Sequence, residues 1–412
     1  MTSKTSMNRR HFLGLGVAGA GLYALGRPMH GLSALEGGLG LPPGKDEKVL
    51  IIVQLSGGND GLNTLVPFGD PEYAKARRRI GIPKKDVHQI APGIGLHPSL
   101  KGMAELYKAK KLAVLQAVGY PNPNRSHFKS MDIWHAADPT ARDLRHGWLG
   151  RALDEVERNA ANIPELSINF AENPPLSLNG LHYKPVSFRD PFSYRFAGSK
   201  DQEKAFKKIS DEAGETKLSV LESLRRTAVD AEKSSLSVRS KAQAYKTPVK
   251  YPRSQLSSSL RTVAGLIAGG LPTRVYYCYH NGFDTHAGQV GRQANLLAQM
   301  DQALAAFQKD LARLGLEDRV CLMAFSEFGR RVKENQSQGT DHGTAGVSFV
   351  LGGAVHGGLY GEPPSLTDLL RGGDLKHGID FRSLYADLLE GSLGVDSQKV
   401  LRGKFDKLGL LT

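Results

Sequence analysis

Residues 325–346 of this 412-residue sequence bring carboxylate, imidazole and guanidinium side chains into one segment that is spaced by glycines. The apolar run that ends at Phe325 predicts a strand buried on both faces. Four polar side chains follow it, at Glu327, Arg330, Asp341 and His342. Open α/β sheets bind ligands at the carboxyl ends of their strands. The segment therefore predicts a site for a metal ion and an anion at a sheet edge.

A second segment rich in metal-ligand residue types reads HNGFDTHAGQ, residues 280–289. Asp284 and His286 are two residues apart, so an extended backbone would place their side chains on one face. A carboxylate oxygen together with an imidazole nitrogen suits Zn²⁺ or Mn²⁺ better than Ca²⁺. We predict that both residues bind the metal. An Asp–His hydrogen bond within a turn is the alternative.

Asp341 and His342 are neighbours, so their side chains diverge if this segment is extended. One direct metal ligand is therefore expected from the pair. His342, which precedes Gly343, is the predicted ligand, and Asp341 is a secondary candidate. A hydrogen-bonding role within the loop is the alternative for both.

Two further carboxylates are predicted metal ligands. Asp60 lies in GGNDGL, where the glycines allow the backbone to approach a ligand closely. An ordinary Asp-Gly turn is its alternative, and the neighbouring Asn59 is a secondary candidate. Glu327 comes directly after a predicted strand, and burial beside Arg330 as an ion-pair partner is its alternative.

The predicted nucleophile is Ser126, which opens the predicted helix 126–137. A helix N-terminus favours an anionic group, and a hydroxyl activated by a metal there could attack phosphorus or sulfur. Serine is also a preferred helix N-cap for purely structural reasons. His127 is a secondary metal candidate. Arg330, together with Arg125, is predicted to hold the oxyanion; a solvent-facing arginine is the alternative.

The elements that must position these residues are those of an α/β protein. Helical segments alternate with apolar runs typical of buried strands, which indicates a mostly parallel central sheet flanked by helices. The stripe from Leu297 to Leu314, at spacings of three and four, predicts one long helix that packs on the core and ends at Gly315. Predicted strands lie at 49–55, 112–118, 165–170, 274–280, 320–325 and 347–353.

Residues 1–34 are predicted to be an export signal. Arg9 and Arg10 precede a mildly apolar, glycine-rich segment, and this arrangement resembles the twin-arginine signal of bacteria. The apolar segment is shorter than the roughly 20 residues that cross a bilayer, but it suits the core of a signal peptide. The predicted location is therefore the periplasm or the exterior, and the twin-arginine export machinery is a predicted partner. An uncleaved membrane tether is the alternative.

A linker at 35–45 and a single domain at 46–412 complete the predicted organisation, with a helical insertion near 199–260. The insertion is rich in lysine and glutamate, which is typical of solvated helices; a lid over the site is the alternative. No stable transmembrane segment is expected in the mature chain.

Composition narrows the class of protein further. The chain is 40% hydrophobic and 23% charged, as in ordinary globular proteins, and its net charge of +13 could favour anionic partners. It has no arginine-rich run interleaved with aromatics and no zinc-finger pattern, so we expect no nucleic-acid partner. Cys278 and Cys321 could form a disulfide or stay as two buried thiols.

Five blocks in this order resemble domain-of-unknown-function family 1501, a group of exported bacterial proteins: SGGNDGLNTLVP, NRSHF…DIW, GFDTHAGQ, FSEFGRRVKEN and GTDHGTAG. That family in turn resembles the superfamily of alkaline phosphatase, sulfatases and cofactor-independent phosphoglycerate mutase. The resemblance implies an alkaline-phosphatase-like fold and a two-metal hydrolase or transferase. It also implies metal binding by Asp60, Asp284, His286 and His342, and a nucleophilic Ser126.

The sequence departs from the superfamily at two places. Glu327, Phe328 and Gly329 stand where Asp-His-Gly is common, and the Asp284/His286 pair is more closely spaced than usual. One or two divalent ions, Zn, Mn or Mg, are therefore expected. The predicted function is hydrolysis of a small anionic phosphate or sulfate ester. The alternative is a non-catalytic exported binding or surface protein that retains the fold, with or without a structural metal.

Overall fold

The computed structural model describes residues 47–140, 144–158, 163–195, 198–199, 201–202, 204 and 220–411. The predicted signal peptide at 1–34 and the linker at 35–45 lie outside these residues, as does most of the predicted insertion before residue 220. Within the described part of the chain, no helix is both long enough and apolar enough to span a membrane.

The predicted mixed α/β architecture with a mostly parallel sheet is confirmed. In the described residues, the strands of the central sheet are β1 (Val49–Ser56), β5 (Leu112–Gly119), β6 (Ser167–Asn169), β7 (Val186–Ser187), β8 (Val275–Asn281), β9 (Val320–Phe325), β10 (Gly346–Leu351), β11 (Gly358–Tyr360) and β12 (Ile379–Asp380). These nine strands lie in the order β11-β5-β10-β9-β1-β8-β6-β7, with β12 paired to β5. Among them, only β10 runs antiparallel to its neighbours, β5 and β9.

The continuous apolar character of β1 follows from burial on both of its faces. Ile51 and Val53 belong to one core cluster, whereas Leu50 and Ile52 belong to the cluster on the opposite side of the sheet. Successive side chains of a strand point to opposite faces, so a strand covered on both sides needs apolar residues at every position.

Ten α-helices lie in the described residues, and two groups of them cover the sheet. One core cluster contains residues of α3, α6, α7 and α8, and the other contains residues of α4, α5, α9 and α10. The helices are α1 (Gly61–Thr64), α2 (Pro71–Ala76), α3 (Lys101–Lys108), α4 (His127–Ala136), α5 (Trp148–Arg158), α6 (Val220–Ala244), α7 (Gln255–Ala268), α8 (Gln289–Leu314), α9 (Phe381–Leu388) and α10 (Ser397–Leu401).

The long helix predicted from its apolar stripe is α8. Leu297, Met300, Leu304, Phe307 and Leu311 are fully buried along one face of it. The helix ends where predicted, because Gly315 takes the left-handed backbone conformation (φ 67°) that favours glycine.

The chain also contains a small second sheet. The strands β2 (Leu65–Val66), β4 (Ile94–Leu96) and β3 (His88–Ala91) pair antiparallel in it.

The two cysteines are free thiols. Cys278 on β8 and Cys321 on β9 are both buried and form no disulfide.

Candidate metal centre

Several loops meet at one edge of the central sheet because of strand direction. In the parallel pairs, Ser56 of β1 lies beside Asn281 of β8, and Gln54 lies beside Phe325 of β9. All three strands therefore end at the same edge. Strand β5 also ends there, since β10 runs antiparallel to both β5 and β9. The polar segments that follow these strands are thereby brought together.

The carboxylate of Asp284 is the centre of this group. Its Oδ1 atom lies 3.1 Å from His286 Nε2 and 3.2 Å from His342 Nε2. His127 Nε2 is 3.6 Å from the same oxygen. The Nε2 atoms of His286 and His342 are 2.9 Å apart. Three imidazoles from distant parts of the sequence thus face one carboxylate oxygen.

The separations among His127, Asp284 and His342 fit the ligands of one metal ion, and His286 lies beside this group. Tetrahedral zinc with ligand bonds of about 2.0–2.1 Å places neighbouring ligand atoms about 3.3 Å apart. His127, Asp284 and His342 each offer an atom within 4.8 Å of the others. In addition, His127 Nε2 is buried and has no hydrogen-bond partner. A buried nitrogen that faces other ligand atoms without a partner is suited to a cation.

The Nδ1 atom of each imidazole faces an oxygen of the protein. His127 Nδ1 lies 2.7 Å from Glu327 Oε1, and His342 Nδ1 lies 2.9 Å from the carbonyl oxygen of Arg125. His286 Nδ1 lies 3.6 Å from Asp341 Oδ1. An Nδ1–H held by an oxygen leaves Nε2 as the ligand atom, which is the usual arrangement behind metal-binding histidines.

The electrostatics favour the protonation state of a metal ligand at Asp284 and His342 and oppose it at His127. Partial burial opposes the charge of Asp284, but the hydrogen bond and the charge of Arg330 outweigh it and lower its pKa to about 2. Burial also lowers the pKa of His342. By contrast, the hydrogen bond to Glu327 raises the pKa of His127. Asp284 is therefore an anion and His342 is neutral, as metal ligands must be.

Comparison with known families places the chain among proteins that share this sequence pattern. A family model described as "Protein of unknown function (DUF1501)" matches residues 47–407. The chain belongs to this family. Among proteins of curated function, none is significantly similar to the sequence.

Solved structures resemble this family member only distantly. The C-terminal periplasmic domain of EcEptC from Escherichia coli, in complex with Zn, is 9% identical with a TM-score of 0.37, and the match covers 75% of this chain and 74% of that one. The lipoteichoic acid synthase LtaP from Listeria monocytogenes is 10% identical with a TM-score of 0.38, and the match covers 78% of this chain and 69% of that one. The PsFucS1 sulfatase from Pseudoalteromonas sp. is 11% identical with a TM-score of 0.39, and the match covers 89% of this chain and 72% of that one. Likenesses at this level do not identify a function.

Glu327 does not occupy the position of a direct ligand. Its carboxylate is buried, and Oε1 accepts a hydrogen bond from the amide of Gly57 at 2.9 Å besides facing His127. Its Oε2 lies 3.0 Å from Ser326 Oγ. Both oxygens are therefore engaged by the protein, and Glu327 acts on the site by holding His127.

The position of Arg330 does not fit the predicted oxyanion clamp. Its side chain is fully buried and donates hydrogen bonds to the carbonyl oxygens of Gly58 and Thr340 and to Asp284 Oδ1. It also contacts the carbonyl oxygens of Gly57 and Phe283. Arg330 therefore connects the loop after β1 to Asp284. Its donors are bonded within the protein and are not available to a substrate.

Asp60 also lies apart from the histidine group. Its buried carboxylate is the N-cap of α1, where it accepts hydrogen bonds from the amides of Leu62 and Asn63. It also forms an ion pair with the buried guanidinium of Arg77 and a hydrogen bond with Gln289. Asn59, the secondary candidate, is buried beside it and bonds to Thr64 Oγ1. Asp60 is therefore not brought together with the histidine group, and metal binding by it stays a prediction.

Ser126 lies where the prediction placed it, directly before α4 and next to His127. It has the position of an N-cap residue, but its hydroxyl caps no backbone amide of the helix. The absence of this capping hydrogen bond disfavours the structural alternative for Ser126. Its side chain is exposed and directly precedes His127 in the sequence.

Three residues near the site were not predicted from the sequence. Phe328 is buried against the rings of His127 and His342, with ring centroids 4.9 Å away in each case. Arg331 lies 3.6 Å from both Asp341 and the buried Asp374. Asp374 lies in a glycine-containing turn with no ligand-like spacing to the rest, so no sequence signal marks it.

Proposed function

We propose that this protein is an exported, metal-dependent hydrolase of phosphate or sulfate esters. The observation that supports the proposal is the convergence of three imidazole Nε2 atoms on Asp284 Oδ1. Three nitrogens and one carboxylate oxygen favour zinc or manganese over magnesium, which prefers oxygen ligands. The proposed ligands are Asp284, His286, His342 and His127.

We infer that one ion is bound, although the superfamily resemblance implies two. A second ion would need further carboxylates, and the two other carboxylates among the predicted ligands are engaged by protein groups. Glu327 is held by Gly57 and His127, and Asp60 is paired with Arg77. A single divalent ion per chain is therefore the stoichiometry that the contacts favour.

The proposed reaction transfers the phosphoryl or sulfuryl group to Ser126 and then to water. Zinc or manganese bound by the four ligands would favour the ionised hydroxyl and offset the negative charge of the ester. Ser126 Oγ would bond to phosphorus or sulfur as the ester bond breaks, and the leaving oxygen would take the proton that the hydroxyl loses. Water would then release the acid and restore the hydroxyl. The first amides of α4, which have no acceptor within the helix, face the anion.

A non-catalytic metal-binding protein is the second candidate, and the position of Phe328 favours it. This buried ring packs against two of the proposed ligands, and it stands where the Asp-His-Gly pattern of the superfamily has a histidine. For either candidate, we propose export by the twin-arginine machinery to the periplasm or exterior.

Elemental analysis of the purified protein, followed by assays with nitrophenyl phosphate, phosphate diester and sulfate, tests the proposal. We expect about one zinc or manganese ion per chain and ester hydrolysis that a chelator abolishes. His286→Ala should lower the metal content, whereas His356→Ala, at an exposed histidine elsewhere, should not.

The serine variants then separate the two candidates. Ser126→Ala should abolish turnover and keep the metal, while Ser240→Ala, at an exposed serine on α6, should retain both. A full complement of metal with no turnover of any ester supports the binding protein. Absence of metal from protein refolded or loaded with zinc would contradict both candidates.

A further inference from the structure

Two arginines, Arg125 and Arg331, are attached to the proposed metal ligands. The carbonyl oxygen of Arg125 lies 2.9 Å from His342 Nδ1, and Arg125 directly precedes Ser126. Arg331 Nη1 lies 3.6 Å from Asp341 Oδ2, while the other oxygen of Asp341 lies 3.6 Å from His286 Nδ1. Both arginines therefore lie at the rim of the metal centre.

The two guanidinium groups converge on one buried carboxylate without a close hydrogen bond. Arg125 Nη1 lies 3.5 Å from Asp374 Oδ2, and Arg331 Nε lies 3.6 Å from Asp374 Oδ1. Charge-assisted N–H···O bonds are about 2.7–2.9 Å long. Arg331 Nε and Asp374 Oδ1 are also buried without a hydrogen-bond partner. Unlike Arg330, these arginines keep donors that are not committed to close acceptors.

Both groups border the same space. A Cβ atom added to Gly372 would lie 3.5 Å from Arg125 Nη1 and 3.9 Å from Arg331 Nη2. Their side chains are partly exposed, at 43% and 34%. A ligand at the rim can therefore reach both guanidiniums from solvent.

The charges around this rim favour an anion once the metal is bound. The positive charges of a divalent ion and three arginines exceed the negative charges of four carboxylates by one. The charged residues are Arg125, Arg330, Arg331, Asp284, Glu327, Asp341 and Asp374. The planar guanidinium fork matches the oxygens of a tetrahedral oxyanion. Two such forks and an ion suit a doubly charged group better than a singly charged one.

We propose that Arg125 and Arg331 bind the oxyanion of the substrate and select phosphate monoesters over sulfate esters. This inference rests on the proposed hydrolase function. A phosphate monoester carries nearly two negative charges at neutral pH, whereas a sulfate ester carries one. The arginines bind the non-bridging oxygens while the ester bond lies toward Ser126.

Calorimetric titration with two probes of the same shape tests the inference. Phenylphosphonate is doubly charged at about pH 8.5 and benzenesulfonate is singly charged, and neither is hydrolysed. We expect tighter binding of phenylphosphonate to the zinc-loaded protein. Arg125→Gln and Arg331→Gln should each weaken it by about tenfold to a hundredfold, since each removes a charged hydrogen-bonding group. Lys333→Gln, which removes an exposed charge two residues from Arg331, should leave it unchanged.

The results also distinguish this inference from the proposed function. Equal affinity for the two probes, or phenylphosphonate binding that neither arginine variant changes, overturns the inference. Lower melting temperatures with unchanged binding would show that the arginines only anchor the loop at Asp374, and this also overturns it. If the protein binds no zinc but binds phenylphosphonate through both arginines, the anion site stands and the hydrolase proposal fails.

Discussion

Replacing Asp60 by Asn would remove the negative charge that faces the buried guanidinium of Arg77. Both side chains are fully buried, and Arg77 also donates to Asn63 and to the carbonyl oxygen of Val332. Asparagine is a good N-cap, so the amides of α1 would keep an acceptor. The substitution therefore tests two contributions: the charge of the Asp60–Arg77 pair and the hydrogen bond that Gln289 donates to Asp60.

Removal of one partner from a buried ion pair costs about 3–5 kcal/mol, because the other charge stays buried without compensation. For a chain of this size the entropy of unfolding is about 0.8 kcal/mol per kelvin, so this loss corresponds to a fall of about 5 °C in melting temperature. Adding Arg77→Met to Asp60→Asn should recover part of that loss, since the uncompensated charge is then removed.

Thermal melts and elemental analysis of the same preparations decide between a structural and a ligand role for Asp60. We expect a lower melting temperature with unchanged metal content. Asp70→Asn is the matched control, because Asp70 caps α2 through the amide of Glu72 with no described arginine partner; its effect should stay below about 1 kcal/mol. An unchanged melting temperature with loss of metal from Asp60→Asn would refute the assignment.

Three further predictions concern other buried groups. Burial lowers the pKa of His97 to about 4, whereas the pKa in the unfolded chain is about 6.5. Because acid therefore protonates the unfolded state first, the free energy of unfolding should fall by up to about 3 kcal/mol between pH 6.5 and 4. His97→Gln should remove that part of the acid sensitivity in urea titrations. Glu327→Gln should weaken zinc binding by about tenfold to a hundredfold through His127, as measured by competition with a chromogenic chelator. Asp154→Ala leaves three amides at 181–183 without their acceptor and should cost about 1–3 kcal/mol in thermal melts.

The central strands and the long helix could be predicted because their signals are local. The apolar run at 320–325 coincides with β9, and the stripe from Leu297 is buried along α8. A buried strand needs apolar side chains on both faces, and a helix needs them at spacings of three and four. Such patterns are written in neighbouring residues, so no knowledge of distant contacts is required.

The composition of the site was only partly predictable. The ligand atoms of Asp284, His286 and His342 mark them as candidates in the sequence, and the fold brings them together at the ends of parallel strands. His127 is only a secondary candidate in the sequence, and its place in the site depends on Glu327, two hundred residues away. The sequence offered no basis for ranking it above Asp60.

The fold class, the sheet edge at which polar segments meet, and the residue types available there follow from the amino-acid sequence. Which charged side chains stay available to a ligand, and which are paired inside the protein, depends on tertiary packing. Arg330 and Asp60 look like site residues because they are charged and follow buried strands. Their partners lie on the Gly57–Gly58 turn and at Arg77, and only packing brings these groups into contact. Burial then makes such pairs obligatory, since an unpaired charge in the interior costs several kcal/mol.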